Sequence, residues 1–171
     1  MIVSIIGRPN VGKSTLFNRI SGERISIVSN ISGTTRDRIS INTNWNDKNF
    51  ILIDTGGIDN KSKNKFQFSI TEQVLIAVKD SDKLIFMVDG KEGLNPLDYE
   101  VVDLIRKNEK NAIVAINKMD LPAADPDNVR NELLNHEIIV EKLSGEVLDV
   151  EISALKKINL ENLIKIILFK A

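Results

Sequence analysis

Cysteine is absent from all 171 residues, and histidine, tryptophan and tyrosine occur once each. Without thiols there is no disulfide framework and no thiolate metal site, which fits a reducing compartment. A single histidine, His136, with no second imidazole beside it, argues against a zinc centre and reads as a surface or capping residue. No apolar run approaches the roughly 20 residues of a membrane span. Met1 leads straight into an apolar strand pattern, without the basic and apolar regions of a secretory signal, so a cytoplasmic protein without membrane contact is expected. Neither sign of charge dominates: 23 Lys and Arg stand against 24 Asp and Glu, a net charge of −1. That balance gives no global pull toward nucleic acid, and DNA binding is not expected. What is present is ordinary for a globular chain, with 42% apolar and 27% charged residues. The length suits one domain, 1–171, with a sizeable core and no linker or repeat.

Apolar runs at 2–6, 84–88, 112–116 and 147–152 read as buried parallel strands. The alternating stretch 39–45 and the run 49–53, joined by Asn46-Asp47-Lys48, read as a β-hairpin. Helical patterns fall at 14–21, 69–79, 96–107, 126–135 and 160–169. Strands thus alternate with helices from end to end, which argues for a three-layer α/β fold around a mostly parallel sheet. In such sheets ligands bind beyond the carboxyl ends of the strands. The polar clusters at 7–14, 54–57, 117–120 and 153–155 lie at those ends.

The first of these clusters is Gly7-Arg8-Pro9-Asn10-Val11-Gly12-Lys13-Ser14-Thr15, between a strand and a helix. In that context G-x-x-x-x-G-K-[ST] is a phosphate-binding loop, whose backbone N–H groups and helix N-terminus favour an anion. Lys13 is expected to reach the β- and γ-phosphates and Ser14 to ligate Mg²⁺. Asn117-Lys118-Met119-Asp120 names the base. A carboxylate at Asp120 accepts from guanine N1–H and the exocyclic amine, whereas adenine would leave it unmatched. Lys118 would lie along the base, and Asn117 would tie this loop to the phosphate loop. Ser153-Ala154-Leu155 is placed for a backbone N–H to reach the guanine carbonyl. Asp54, in Asp54-Thr55-Gly56-Gly57, either holds Mg²⁺ through water or merely initiates a turn. The Gly57 N–H is expected to sense the γ-phosphate. One of Thr34 and Thr35, in the long polar loop 23–37, is expected to close on Mg²⁺.

These clusters, in this order, resemble the nucleotide-binding motifs of the Ras-like P-loop GTPases, with Thr35 as the loop threonine. The resemblance implies a Ras-like G domain with a mostly parallel six-stranded sheet, one antiparallel strand, and helices on both faces. Gly7–Asn18 (GRPNVGKSTLFN), Thr35–Arg38 (TRDR), Asp54–Ile58 (DTGGI) and Val88–Leu94 (VDGKEGL) resemble the first G domain of the Der (EngA) ribosome-assembly GTPases, over roughly residues 1–110. From Val114 to Leu134 (VAINKMDLPAADPDNVRNELL), and on through Gly145-Glu146 to Ser153-Ala154, the chain looks like the G domain of bacterial translation initiation factor two. It thus resembles a graft of two G domains with a seam near 105–113. Lys157 and Asn159 depart from the second pattern, standing where glycines are usual.

The resemblance implies slow, Mg²⁺-dependent hydrolysis of GTP to GDP and phosphate, with 23–37 and 55–68 as nucleotide-sensing loops. Ile58 stands where Ras-type enzymes have a water-orienting glutamine, and an aliphatic chain cannot orient water. Der-like GTPases resemble others that use K⁺ in place of an arginine finger, marked by an asparagine that falls on Asn10. Asn10 either offers its carbonyl to K⁺, with carbonyls of 29–36 completing the shell, or braces the loop after Pro9. Ser32 stands where the family usually has proline. Arg36 is read as a salt-bridge partner or a cis arginine, Trp45 as packing, and the lysines of 58–68 as a solvated face. The expected partners are GTP and GDP, and the ribosome or ribosomal RNA through elements absent from the chain, which is expected to be monomeric. Three functions compete: a GTPase, a GTP-dependent binding module with negligible turnover, and an inert chimeric scaffold.

Overall fold

The computed structural model describes residues 1–22, 27–28, 39–45, 47–55 and 69–169. Within them run β1 (Ile2–Ile6), α1 (Lys13–Ile20), β2 (Ile27–Val28), β3 (Ile39–Trp45) and β4 (Lys48–Asp54). There follow α2 (Ile70–Asp80), β5 (Lys83–Asp89), α3 (Pro96–Lys107), β6 (Ala112–Asn117), α4 (Pro126–Asn135), β7 (Asp149–Glu151) and α5 (Leu160–Phe169). The strands form one sheet in the order β2-β3-β4-β1-β5-β6-β7. β3 is the single antiparallel strand, paired on one side with β4 and on the other with β2. The six expected strands are joined by a two-residue seventh, β2, at the edge. Its shortness hid it from any periodicity, as it did the 3-10 turn Glu141–Leu143.

The central strands are apolar on both faces because both are covered. In β5, Ile85 and Met87 enter one core while Leu84, Phe86 and Val88 enter the other. In β6, Ile113 and Ala115 oppose Val114 and Ile116 in the same way. The first core is closed by Leu16 and Phe17 of α1 and by Leu163, Ile166 and Ile167 of α5. The second is closed by Val74 and Ala77 of α2, Val101, Val102 and Ile105 of α3, and Val129 and Leu133 of α4. Trp45 packs against the first core, as expected.

The helix starts are not alike. Ser69 caps α2 and Asn95 caps α3, each with a reciprocal capping box, and the Asp125 side chain caps α4. Each of these three has an acidic residue in its first turn. α1 has no side-chain cap and no acidic residue there, and Gly12 precedes it in the left-handed region at φ 109°. Its orphan N–H groups and positive dipole end are left for something else.

Candidate functional site

The phosphate loop leaves β1 at Gly7 and is built where side chains cannot fit. Gly7 has φ 154°, and a Cβ there would lie 2.8 Å from the Met87 carbonyl oxygen. At Gly12 a Cβ would lie 2.3 Å from Asn117 Nδ2. Between them Val11 is fully buried, while Pro9 and Asn10 are exposed, Asn10 with φ 70°. Lys13 is buried, and its Nζ donates to the Gly7 carbonyl and, at 3.3 Å, to that of Arg8. Burial lowers its pKa, and the charges of Asp54 and Asp98 work in the other direction. Ser14, exposed at the start of α1, donates its hydroxyl to Asp54 Oδ2 at 3.0 Å. The Asp54 carboxylate stands at the end of β4, next to β1 in the sheet.

The cluster expected to read the base is assembled by side chains. Asn117 Nδ2 donates to the Val11 carbonyl at 2.8 Å, and Asn117 Oδ1 accepts from the Ala154 N–H at 2.9 Å. One amide thus fastens the phosphate loop, the end of β6 and the loop after β7 together. Ser153, fully buried, donates its hydroxyl to Asp120 Oδ1 at 2.8 Å and accepts from the Lys156 N–H at 3.0 Å. Arg19 of α1 donates to the carbonyls of Ala154 and Leu155. Met119 is half-buried, its N–H bonded to the Ile152 carbonyl. Leu155 is 60% exposed.

Three expected site residues turn their side chains elsewhere. Arg8 leaves the loop to pair with Asp98 at 2.9 Å and Glu92 at 3.0 Å, so only its backbone belongs to the cradle. The Thr55 hydroxyl donates to the Ile5 carbonyl at 2.8 Å, strapping β4 to β1. Lys118, expected along the base, extends its Nζ to Asp89 Oδ2 at 2.8 Å. The Ala154 N–H, a candidate for the guanine carbonyl, is engaged by Asn117. Thr15 is half-buried on α1. Thr34, Thr35, Arg36, Gly56, Gly57, Ile58, most of loop 23–37 and the lysine-rich stretch lie outside the described residues.

Several supporting residues lie outside the four clusters expected to hold the nucleotide. Asp89 accepts from the N–H groups of Lys91 and Glu92 at 2.8 and 2.9 Å. Burial alone would raise its pKa, but the Lys118 ammonium and these two N–H groups hold it below the usual value. Asp98, fully buried on α3, has its pKa raised by burial against the opposing effects of the Asn95 N–H and Arg8. Arg130 of α4 reaches Asp127 at 2.9 Å, Asp149 at 2.8 Å and Glu151 at 2.5 Å. It thereby joins the helix that follows the Asn117–Asp120 loop to the strand that leads into Ser153. The only sequence signal for such residues is a charge within an apolar pattern, as at Arg130 between Val129 and Leu133. His136 sits at the C-cap of α4, its ring stacked on Tyr99 with centroids 3.8 Å apart.

Among the described residues no helix is long and apolar enough to cross a membrane. Residues 2–118 match the family model of the 50S ribosome-binding GTPases. GTPase Der of Fusobacterium nucleatum is 45% identical over 119 residues, 70% of this chain and 27% of that protein. The chain therefore spans about a quarter of the length of the curated relatives it matches. A variant of Aquifex aeolicus Era bound to GDP·AlF4⁻ superimposes with a TM-score of 0.72 at 37% identity, covering 98% of this chain and 55% of that one. Era in complex with MgGDPNP and a segment of 16S ribosomal RNA gives the same TM-score at 36% identity, with the same coverage of both chains. The family match stops at Lys118, so the tail's resemblance to an initiation-factor G domain stands on its own residues. The Era match carries the Ras-like fold through the tail.

Proposed function

The chain belongs to the family of 50S ribosome-binding GTPases, and from that premise we propose that it binds GTP and hydrolyses it slowly, with Mg²⁺, to GDP and phosphate. One observation carries this reading. An uncapped helix N-terminus with Lys13, the Ser14–Asp54 pair and the Asp120–Ser153 pair lie at the carboxyl ends of the strands, where Asn117 fastens the loop before α1 to the turn after Ser153. The N–H groups of Gly7–Thr15 would cradle the phosphates, and Lys13 would exchange its carbonyl partners for phosphate oxygens. A hydroxyl and a carboxylate 3.0 Å apart are hard oxygen donors suited to Mg²⁺, held by Ser14 directly and by Asp54 through water. When bound, Mg²⁺ neutralises charge on the β- and γ-phosphates. Asp120 would read guanine. Thr35 and Gly57 would report the γ-phosphate, and Asn10, exposed on the loop, would offer its carbonyl to K⁺.

Ile58, in place of a water-orienting glutamine, favours a second reading: a GTP-dependent binding module with little turnover of its own. Ribosomal RNA, bound by the Era relative, is then the proposed partner class. The tail fits either reading as base-reading elements grafted from a second G-domain lineage.

GTP turnover in K⁺ against Na⁺, with mant-GDP binding alongside, separates these readings. Faster turnover in K⁺ supports the enzyme and Asn10. Near-zero rates in both salts with tight binding leave the module. Failure to bind any guanine nucleotide sinks both.

A further inference from the structure

The two halves of the site are joined by Asn117, and also by a second connection that runs from Lys118 to Arg8 through residues 89–98, outside the clusters 7–15 and 117–120. It starts at Lys118, whose Nζ lies 2.8 Å from Asp89 Oδ2. Asp89 Oδ1 accepts from the N–H groups of Lys91 and Glu92, and its carbonyl accepts from the Gly93 N–H at 2.9 Å. The same turn is pinned to the base loop by backbone bonds. The Gly90 N–H donates to the Asn117 carbonyl and the Asp125 N–H to the Gly90 carbonyl, both at 2.8 Å. On its other side the turn grips the phosphate loop. Arg8 Nη2 donates to Glu92 Oε2 at 3.0 Å and to the Gly93 carbonyl at 3.5 Å, and Arg8 Nε donates to Asp98 Oδ2 at 2.9 Å. Asp98 Oδ2 also accepts from the Asn95 N–H at 3.0 Å, closing the connection onto the first turn of α3.

We propose that residues 89–98 form a strut that fixes the distance between the base-reading loop and the phosphate loop, with Asp89 and Asp98 as its two positioning residues. Two features distinguish the strut from an ordinary helix start. Capping α3 needs the Asn95 side chain and one oxygen of Asp98, but not a buried guanidinium from the phosphate loop. The fold nevertheless commits a fully buried carboxylate to Arg8, and among the described residues Asp98 Oδ1 has no hydrogen-bond partner. A buried, half-satisfied ion pair of this kind is a poor source of stability and a good source of fixed geometry. At the other end the ammonium of Lys118, on a backbone held at φ 71°, is anchored two residues before Asp120. A loop so anchored places its base-reading carboxylate relative to the phosphates before any ligand arrives, which removes an ordering cost from binding.

The proposal rests on the guanine-nucleotide reading of the site, so mant-GDP binding by the unaltered protein is measured first; its absence overturns that reading and leaves no site for the strut to serve. Asp89→Asn and Asp98→Asn each keep an acceptor oxygen for the backbone N–H groups and remove the charge that holds Lys118 or Arg8. Each is expected to weaken GDP binding about tenfold at a temperature well below its unfolding transition. The two should differ in kind. Asp89→Asn narrows the preference for GDP over ADP, because Asp120 is released with Lys118. Asp98→Asn weakens GDP and GTP alike and leaves that preference intact. The double variant should fall well short of the product of the single effects, since both cut one connection. If Asp98→Asn does not fold, Glu92→Gln removes the exposed partner of the same guanidinium and should weaken GDP binding about fivefold, the lower end of such couplings. Unchanged affinity in the folded variants, with only a lowered melting temperature, overturns the strut, as does a double variant equal to the product.

Discussion

The loop proposed to hold phosphate and the cluster proposed to read the base sit side by side but are made in different ways. The phosphate loop is backbone architecture: two glycines at positive φ, carbonyls turned onto Lys13, and no room for a methyl group at Gly7 or Gly12. The base cluster is side-chain architecture, in which Asn117, Asp120, Ser153, Lys118 and Arg130 each find a partner from another element. A site built from backbone tolerates no added atom, whereas a site built from side chains tolerates changed backbone but not a lost partner. That difference sets what substitutions should do at each end.

The largest effect is expected at the base. Asp120→Asn leaves the guanine N1–H and amine without their acceptor and should cut GDP affinity by roughly a thousandfold or more, in favour of xanthosine diphosphate. Competition of the two nucleotides against mant-GDP checks this; an unchanged preference would remove Asp120 from the base site. At the phosphate end, Gly12→Ala should abolish nucleotide binding and destabilise the fold by about 1–3 kcal/mol, because φ 109° is strained for alanine and its Cβ meets the Asn117 amide. Urea unfolding and mant-GDP titration report the two effects separately. Wild-type behaviour of this variant would erase the contrast between the two ends.

Arg130 tests the side-chain end without touching the motifs. Its guanidinium and the Asp149 carboxylate are 3% and 2% exposed. Arg130→Met strands that carboxylate and should cost about 3–5 kcal/mol in urea unfolding. The same cluster gives an acid limb to stability. The Arg130 hydrogen bond holds the Glu151 carboxyl below its ordinary value of 4.5, with Lys142 assisting and burial opposing. A depressed carboxyl contributes stability above its unfolded pKa and loses it as pH falls through the folded one. Stability should therefore decline below about pH 4.5 in the unaltered protein, and that decline should be shallower in Arg130→Met. Melting temperatures measured between about pH 3 and 6 would show whether the limbs differ.

This contrast also explains what could be read from the chain. The phosphate loop was legible because backbone constraints leave glycines at fixed spacing, and the helix bounds 96–107, 126–135 and 160–169 coincide with α3, α4 and α5 because Pro96 and Pro126 mark two starts and apolar spacing marks the rest. Asn117 and Asp120 stand out in the sequence as a spaced pair, and the structure gives both a partner in Ser153–Ala154. Asp89, Asp98 and Arg130 do not stand out, because each acquires its role from a partner distant in sequence; Arg8 and Asp98 are 90 residues apart. β2 was missed because two residues carry no period.

The smallest predicted effect probes a place where the base cluster relies on backbone. Lys157 and Asn159 stand where the initiation-factor pattern has glycines, and the structure holds both in the left-handed region, at φ 58° and 64°. The turn after Ser153 thus holds two non-glycine residues in a conformation that favours glycine. Among the described residues Lys157 has no side-chain hydrogen bond or ion pair to offset the strain, so Lys157→Gly should stabilise the protein by up to about 1 kcal/mol, the left-handed cost less the added freedom of the unfolded chain. Asn159 tolerates the conformation better and donates Nδ2 to the Glu151 carbonyl at 2.9 Å, so Asn159→Gly should gain less or nothing. Urea unfolding resolves both. A loss of stability in Lys157→Gly would mean that this turn depends on the Lys157 side chain, and the base end would then rest on side chains throughout.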